Sequence, residues 1–487
     1  MNRTRRLHFW GIAGVLVVIA IAASAMLTPI QAASAQHVDH NPLPRPVHNG
    51  DPSYAVYLPL VLRDFPFETV FGAENGAMTV SDGLTLFDNA GATWLRRAAL
   101  QWNGLEATEG VIDWTKASSL ETEMKNVNAL GMKVILVIRG TPSWAQEYAG
   151  YSCGPILNTK FGAFANFMSQ VVARYSVPPY DVLAYEIWNE EDLDYRAVSD
   201  PNSLWGCWGN YDDDYYGGGY YAQMLAPVYP AVKAANPKAQ VIVGGLLLDC
   251  DPAHPPPGND CKASKFLEGI VHGGGGPYFD GVAFHAYDYY DNALGEFYNP
   301  NWVSEWDTTG TVLIAKANFL KNVLSTYSIT GKFLMNTESA VLCLSDHGQV
   351  CDATWESTKD YYIAQTYAAA IVEGLRANIW YFWPGRHSEL FQPDLTPLPA
   401  YTAFQTSRNE LQNATFSRNI TEYTGVRGYE LRRQDRLVWI LWSADGTTHS
   451  ITLPGTPLAA YDVFGAPIAL STSYNITLAP IYLEWNP

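Results

Sequence analysis

Short apolar runs alternate with segments of helical periodicity from about residue 67 to about residue 412. Eight of these runs are predicted to be β-strands, at 69–74, 93–98, 133–138, 182–188, 240–246, 281–284, 332–335 and 378–382. Helices are predicted between them, at 117–130, 160–175, 220–235, 262–271, 311–326 and 357–376. Such alternation is typical of a parallel sheet covered by helices, and the strand count matches a closed (β/α)8 TIM barrel. A doubly wound open sheet is the alternative, which the lack of a glycine-rich phosphate loop after an early strand disfavours.

The pattern changes near residue 422, where short strands of alternating polarity follow one another without helices. They are predicted at 428–432, 436–442, 449–453, 459–464 and 474–478. Successive strands joined by turns are typical of a small all-β domain. We predict a barrel over 67–412, followed by a β-sandwich-like domain over 413–487 that either caps the barrel or binds carbohydrate.

The first 35 residues have the composition of an export signal. Basic residues precede an apolar run at 11–27, and the small-residue motif ASA ends at residue 35. Because the apolar run is long for a signal, an uncleaved membrane anchor is the alternative, and only then is a stable membrane partner expected. We predict a secreted protein from which residues 1–35 are removed, with a linker and docking segment at 36–66.

The cysteines indicate the cellular compartment of the chain, and its acidic residues exclude one class of partner. Six cysteines suit an exported protein. Their spacing suggests the pairs Cys250–Cys261 and Cys343–Cys351, which leaves Cys153 for Cys207, although six cysteines allow many pairings and sequence alone does not choose among them. The formal net charge of −18 argues against nucleic acid as a partner. The sequence has no CxxC pair, and no metal site is predicted.

Two of the predicted barrel strands lead into a carboxylate. The fourth strand is followed by Asn189 and Glu190, and the seventh leads to Glu338. The carboxyl ends of barrel strands carry the catalytic groups of such enzymes. Two carboxyl groups about 5–5.5 Å apart, one protonated and one ionised, cleave a glycosidic bond with retention of configuration. We predict that Glu190 and Glu338 form this pair and that no cofactor is required, because carboxyl groups suffice for the reaction.

Several segments resemble glycoside hydrolase clan A, the retaining (β/α)8 glycosidases. Segment 185–190 (YEIWNE) is similar to the fourth-strand motif of the clan, and segment 336–338 (NTE) is similar to its seventh-strand nucleophile motif. Segment 284–287 (FHAY) resembles the sixth-strand motif, and segment 94–96 (WLR) resembles an early-strand pattern. The resemblance covers about residues 67–412 and is nearest to family 39 or a family 5-like group.

The resemblance implies roles for single residues. Glu190 is expected to be the acid/base and Glu338 the nucleophile. Asn189 is expected to hold the sugar 2-hydroxyl, and Tyr287 to support the nucleophile. Trp383, just past the eighth strand, is expected to stack under a sugar ring.

Neighbouring residues leave alternatives open. Many members of the clan have proline after the acid/base, and here Glu191 takes that place and competes with Glu190 for the role. Arg96 is expected to hydrogen-bond the nucleophile and keep it ionised. His285 either contacts substrate or orients a neighbouring side chain, and Trp144 either binds substrate or packs in the core.

The function that best fits these features is a secreted retaining β-glycosidase that acts on poly- or oligosaccharides. An exo-acting β-xylosidase-like enzyme and an endo-acting β-glucanase or mannanase are both compatible with the sequence. The alternatives are a non-catalytic carbohydrate-binding barrel and a transglycosylase that shares the covalent intermediate. The expected partner is a carbohydrate substrate, and the sequence does not indicate the oligomeric state.

Overall fold

A computed structural model describes residues 69–203, 205–302 and 310–487. The predicted export signal, 1–35, and the predicted linker, 36–66, lie outside the described residues. The boundaries predicted for the barrel and for the C-terminal domain stay predictions.

Eight parallel strands close into a barrel, which confirms the predicted fold class. The barrel strands are β1 Phe71–Glu74, β2 Trp94–Gln101, β3 Lys133–Arg139, β4 Ala184–Asn189, β5 Gln240–Leu246, β6 Gly281–Tyr290, β8 Phe333–Leu342 and β9 Asn378–Tyr381. They are arranged in the order β5-β4-β3-β2-β1-β9-β8-β6, and pairing of β5 with β6 closes the barrel. The short strand β7, Phe297–Tyr298, pairs antiparallel with the end of β6 and is not part of the barrel.

An apolar layer fills the interior of the barrel near the beginning of the strands. Its members include one buried residue from each of seven barrel strands: Trp94, Ile135, Ala184, Ile242, Ala283, Met335 and Ile379. Side chains alternate along a strand, so the residue two positions later points into the same interior. That step leads from Trp94 to Arg96 and from Ala184 to Glu186. The interior therefore changes from apolar to charged toward the carboxyl ends of the strands.

Helices cover the outside of the barrel. They are α1 Leu84–Ala90, α2 Trp102–Leu105, α3 Ser118–Ala129, α4 Phe161–Tyr175, α5 Gly218–Ala235, α6 Phe266–His272, α7 Val312–Thr326, α8 Ala353–Val372 and α9 Pro399–Leu411. The sequence analysis did not predict α1, α2 or α9. α1 and α2 have seven and four residues, which is too short for a helical period to be visible. α8 begins where Asp352 accepts hydrogen bonds from the backbone N–H groups of Thr354 and Trp355.

Two antiparallel sheets follow the barrel. Their strands are β10 Thr415–Asn419, β11 Val426–Arg432, β12 Leu437–Ser443, β13 His449–Thr452, β14 Ala459–Asp462, β15 Ser473–Ile476 and β16 Ile481–Trp485. One sheet has the order β10-β11-β12-β16-β14, and β13 pairs with β15 in the other. The predicted all-β character is confirmed, although β10 and β16 were not predicted. The hydroxyls of Ser407 on α9 and Tyr482 on β16 lie 2.8 Å apart, which ties this part to the barrel helices.

The six cysteines form three disulfides, in the pairs that the spacing suggests: Cys153–Cys207, Cys250–Cys261 and Cys343–Cys351. The first pair joins the loop after β3 to the loop after β4. Within residues 69–203, 205–302 and 310–487, every helix is too short or too polar to cross a membrane.

Candidate active site

The carboxyl ends of the barrel strands bring Glu190 and Glu338 to one mouth. Glu190 follows β4 directly, and Glu338 lies within β8. The Nδ1 atom of His285 on β6 is 2.9 Å from Glu190 Oε1 and 3.5 Å from Glu338 Oε2. An oxygen of Glu190 lies within 4.8 Å of an oxygen of Glu338. The side chains of the two glutamates keep 10% and 12% of their surface exposed, so the pair faces a nearly enclosed mouth.

Arg96 on β2 connects the ends of several strands. Its Nη1 donates to Glu338 Oε1 at 2.7 Å and to Glu74 Oε2, at the end of β1, at 2.8 Å. Its Nε and Nη2 donate to Glu186 at 3.1 and 2.7 Å, and Nη2 also donates to Asn189 Oδ1. The Arg96 side chain is fully buried, so these acceptors compensate for its lost hydration. The expected hydrogen bond between Arg96 and Glu338 is therefore present, as part of a larger network.

Burial raises the pKa of Glu338 to about 7, although the Arg96 guanidinium acts in the opposite direction. The hydroxyl of Tyr287 on β6 donates to Glu338 Oε2, while Arg96 donates to Oε1. Both hydrogen bonds are made to the ionised carboxylate and favour it. Glu338 therefore ionises near neutral pH with donors on both of its oxygens.

Burial raises the pKa of Glu190 well above its usual range, and the charges of Glu338 and Asp192 raise it further. Arg96 and Lys316 lower it, but their effect is smaller. The surroundings of Glu190 thus favour its protonated form, whereas Arg96 and Tyr287 favour the ionised form of Glu338. A pair of carboxyl groups in such different environments can supply one acid and one nucleophile.

His285 is fully buried and neutral. Burial lowers the pKa of His285 well below its ordinary value, and the charges of Arg96 and Lys316 lower it further. Its Nδ1 contacts Glu190, and a Cβ atom added to Gly245 would lie 2.1 Å from its Nε2. The ammonium of Lys316 on α7 donates to the backbone carbonyl of His285 at 2.9 Å. Of the two roles left open by the sequence, this geometry favours orienting Glu190 over contacting substrate.

Glu191 lies on the other side of the strand from Glu190. It is fully buried, and a Cβ atom added to Gly244 on β5 would lie 2.4 Å from its Oε2. The separation follows from the backbone, because Trp188 and Glu190 have φ angles of 74° and 52°, in the left-handed region that such residues rarely adopt. The left-handed turn directs Glu190 into the mouth and Glu191 behind β5.

The remaining predicted residues lie in two places. Asn189 accepts from Arg96 through Oδ1, so its amide donors point away from the guanidinium. The half-buried ring of Trp383 contacts the ring of Tyr287 edge to face at 6.1 Å, and therefore lies beside Glu338. Trp144 instead packs against Trp102 at 5.3 Å, and its Nε1 donates to the carbonyl of Glu106. Its predicted substrate contact stays a prediction.

Sequence reasoning missed three charged residues of this region. Glu74 follows the short apolar run of β1, just as Glu338 follows the apolar run of its strand. The same pattern could therefore have identified Glu74 from the sequence. Asp192 accepts from the backbone N–H groups of Leu247 and Leu248, both at 2.8 Å, and burial raises the pKa of Asp192 to about 6. Burial lowers the pKa of Lys316 to about 8. A lysine on an outer helix carries no sequence signal that it reaches the site.

Among the described residues, only Glu190, His285 and Glu338 form a group of side chains close enough to hold a cation. Both oxygens of Glu338 already accept hydrogen bonds, and the adjacent Arg96 guanidinium would repel a metal ion. The donor set therefore suits proton transfer better than metal binding.

An eight-stranded parallel barrel with two carboxyl groups facing each other at its carboxyl-terminal mouth is the arrangement that many glycoside hydrolases use. The comparison with protein families agrees: the model described as cellulase, glycosyl hydrolase family 5, matches residues 63–370. The match covers more than half of the chain, so the chain belongs to glycosyl hydrolase family 5, within clan A. This confirms the clan that the strand motifs resemble. No curated protein matches the sequence.

Solved structures show the same fold at low sequence identity. A family 39 glycoside hydrolase from Bacteroides cellulosilyticus WH2 matches with a TM-score of 0.63 and 18% identity, over 86% of this chain and 81% of the other. A family 30 endoxylanase from Clostridium papyrosolvens C71 matches with a TM-score of 0.56 and 15% identity, over 86% and 97%. CelM2, a bifunctional glucanase-xylanase from a metagenome library, matches with a TM-score of 0.51 and 11% identity, over 87% and 97%.

Proposed function

We propose that this glycoside hydrolase is a retaining β-glycosidase in which Glu190 is the acid/base and Glu338 the nucleophile. The observation that carries the proposal is that one carboxylate oxygen of Glu190 lies within 4.8 Å of one carboxylate oxygen of Glu338. Inverting enzymes place a water molecule between their carboxyl groups, which requires about 6.5–9.5 Å. The pair is too close for that water and suits direct attack by one carboxylate.

In the first step, Glu338 attacks the anomeric carbon of the sugar. The glycosidic C–O bond breaks, and the leaving oxygen takes the proton of Glu190. The sugar is then bound to Glu338 as an ester, and Glu190 is ionised. In the second step, Glu190 takes a proton from water, whose oxygen attacks the anomeric carbon and releases Glu338 as a carboxylate.

The electrostatics of the mouth support this exchange of roles. The negative charge of Glu338 helps to raise the pKa of Glu190 in the free enzyme. Esterification removes that charge, so the pKa of Glu190 falls when the residue must act as a base. Arg96 and Tyr287 hold the nucleophile in place, and His285 orients Glu190. Asn189 and Trp383 are proposed to contact the sugar.

The proposed substrates are β-linked poly- or oligosaccharides. The matching family is described as cellulase, and two similar structures are an endoxylanase and a glucanase-xylanase, in keeping with plant polysaccharides. We further propose that the protein is secreted, because three disulfides suit an oxidising compartment and the sequence begins with the features of an export signal.

The stereochemistry of the first product tests the proposal. Hydrolysis of a β-linked oligosaccharide, followed by proton NMR from the first minutes, is expected to show the β-anomer before mutarotation produces the α-anomer. If the α-anomer accumulates first, the enzyme inverts and Glu338 is not a nucleophile. Absence of hydrolysis across a panel of aryl β-glycosides and polymers would favour the carbohydrate-binding alternative.

Replacement of Tyr287 by phenylalanine (Y287F) is expected to shift the pH profile. The change removes a hydrogen bond to the ionised form of Glu338, so the pKa of Glu338 rises. Since Glu338 must be ionised to attack, the acid limb of kcat/KM moves to higher pH, and kcat/KM falls about 10-fold at neutral pH. Tyr298 on β7 is 38% exposed, so Y298F is the control and should leave the profile unchanged.

A further inference from the structure

Glu74 is a carboxylate of the mouth for which the proposed reaction has no role. Its side chain keeps 6% of its surface exposed, whereas that of Glu186, bound to the same Arg96, keeps none. Glu186 therefore belongs to the interior, whereas Glu74, at the carboxyl end of β1, keeps a small exposed fraction. The Nη1 atom of Arg96 lies 2.8 Å from Glu74 Oε2 and 2.7 Å from Glu338 Oε1. The two carboxylates therefore accept from the same nitrogen atom of Arg96, and Glu74 lies beside Glu338.

The strand order places Glu74 on the wall opposite Glu190. Strand β9 is four strands away from β4 in either direction, and β1 and β8 are its two neighbours. Glu74 pairs with Tyr381 of β9 and accepts through its carbonyl from the N–H of Phe382 at 2.9 Å. It therefore lies beside the strand that leads to Trp383.

The two sugars on either side of the cleaved bond must occupy different parts of this mouth. Glu190 protonates the leaving oxygen, so the leaving sugar lies toward β4. The sugar that becomes bound to Glu338 lies toward the opposite wall, where β1, β8 and β9 meet. Glu74 is the charged side chain at the end of β1 on that wall.

We propose that Glu74 accepts hydrogen bonds from hydroxyl groups of the sugar that becomes attached to Glu338, and that it selects a neutral sugar over an acidic one. The proposal rests on the roles proposed above for Glu190 and Glu338. Burial raises the pKa of Glu74, whereas the Arg96 guanidinium lowers it. In its ionised form the Glu74 carboxylate is purely an acceptor, and sugar hydroxyls are donors, so their hydrogen bonds are charge-assisted. A uronic acid in the same place would bring a second negative charge next to Glu74, and like charges repel across such a contact.

Kinetics with deoxy sugars test the hydrogen bonds. Glu74→Ala (E74A) and Glu74→Gln (E74Q) are compared with the unaltered chain on the aryl β-glycoside that it hydrolyses fastest, and on its monodeoxy analogues. E74A is expected to lower kcat/KM about 10- to 100-fold on the complete sugar. The loss should disappear on the analogue that lacks the hydroxyl bound by Glu74. An equal loss on every analogue would overturn the proposal.

Acidic sugars and the pH profile supply two further readouts. E74Q is expected to raise the ratio of kcat/KM on an aryl β-glucuronide to that on the matching β-glucoside about 10-fold, and an unchanged ratio would contradict the selection. The charge of Glu74 helps to raise the pKa of Glu338, so E74Q should move the acid limb of kcat/KM to lower pH. That shift follows from the charge of Glu74 alone, so the deoxy-sugar and glucuronide comparisons, and not the pH profile, test its contact with the sugar.

The control is Glu123, which forms an ion pair with Arg97 at 2.7 Å, one residue along β2 from Arg96. E123Q should behave as the unaltered chain on every substrate.

Thermal unfolding followed by circular dichroism shows whether E74A and E74Q are folded, and E74Q keeps an oxygen that can accept from Arg96. If the unaltered chain hydrolyses no glycoside, the proposed function fails. If it hydrolyses them and both Glu74 variants match it, only the role of Glu74 is overturned.

Discussion

Replacement of Glu338 by alanine (E338A) is expected to lower kcat/KM on aryl β-glycosides by at least about 10⁴-fold. The change removes the carboxylate that we propose as the nucleophile, and no other carboxylate is held by both Arg96 and Tyr287 in the described part of the chain. Release of the aryl group, followed by absorbance, measures the loss. The matched control is E373A, which removes a glutamate paired with Lys321 between two outer helices and should leave kcat/KM unchanged.

A small anion distinguishes loss of the nucleophile from loss of the fold. E338A leaves a space below the anomeric carbon, next to the guanidinium of Arg96. Azide can enter that space and attack from the side that Glu338 used, so the expected product is an α-glycosyl azide, formed at a rate that rises with azide concentration. A folded E338A variant that hydrolyses glycosides as fast as the unaltered chain would rule out Glu338 as the nucleophile.

Replacement of Glu190 by glutamine (E190Q) is expected to produce a loss that depends on the leaving group. Proton donation to the leaving oxygen contributes about 10²–10⁴ in rate when that oxygen is basic. Oligosaccharides and phenyl glycosides should therefore lose about that factor in kcat/KM. Dinitrophenyl glycosides, whose leaving group departs without a proton, should lose far less. A plot of log kcat/KM against the pKa of the leaving phenol measures the effect as a steeper slope.

Glu191 is the matched control for this experiment, because it competes with Glu190 for the acid/base role in the sequence. E191Q changes a carboxyl group buried against Gly244 behind β5, so it should leave the slope of that plot unchanged. Burial raises the pKa of Glu191 well above its usual range, and a neutral amide replaces a neutral acid at little electrostatic cost. A steep slope for E191Q and an unchanged slope for E190Q would reverse the assignment.

The sequence predicts all eight barrel strands because strands covered on both faces are almost continuously apolar. It does not predict where β6 and β8 end. Their predicted ends are residues 284 and 335, yet the strands continue to Tyr290 and Leu342. Polar residues such as His285 and Glu338 resemble the end of a strand in the sequence. In the structure they are interior residues of the mouth, whose polar atoms contact one another.

The candidate site, too, can be predicted only in part from the sequence. Strand-end motifs identify Glu190 and Glu338, because each follows an apolar run, and resemblance to an early-strand pattern identifies Arg96. The motifs cannot show that Glu190 and Glu191 point in opposite directions, since the positive φ angle of Glu190 depends on the surrounding packing. Nor can they show that Lys316, from a helix far along the chain, reaches the backbone of β6. Contacts between distant segments decide both.

The Cys153–Cys207 disulfide has a consequence for where this enzyme can work. The carbonyl of Cys153 accepts from Trp188 Nε1 at 2.9 Å and from the N–H of Cys207 at 3.0 Å, so the covalent link lies directly against the strand that leads to Glu190, the proposed acid/base. Reduction would remove the covalent link between the loop after β3 and the loop after β4, next to the end of β4 that leads to Glu190. Because disulfides persist in oxidising compartments and are rare in the cytosol, we expect this link to be complete only outside the cytoplasm.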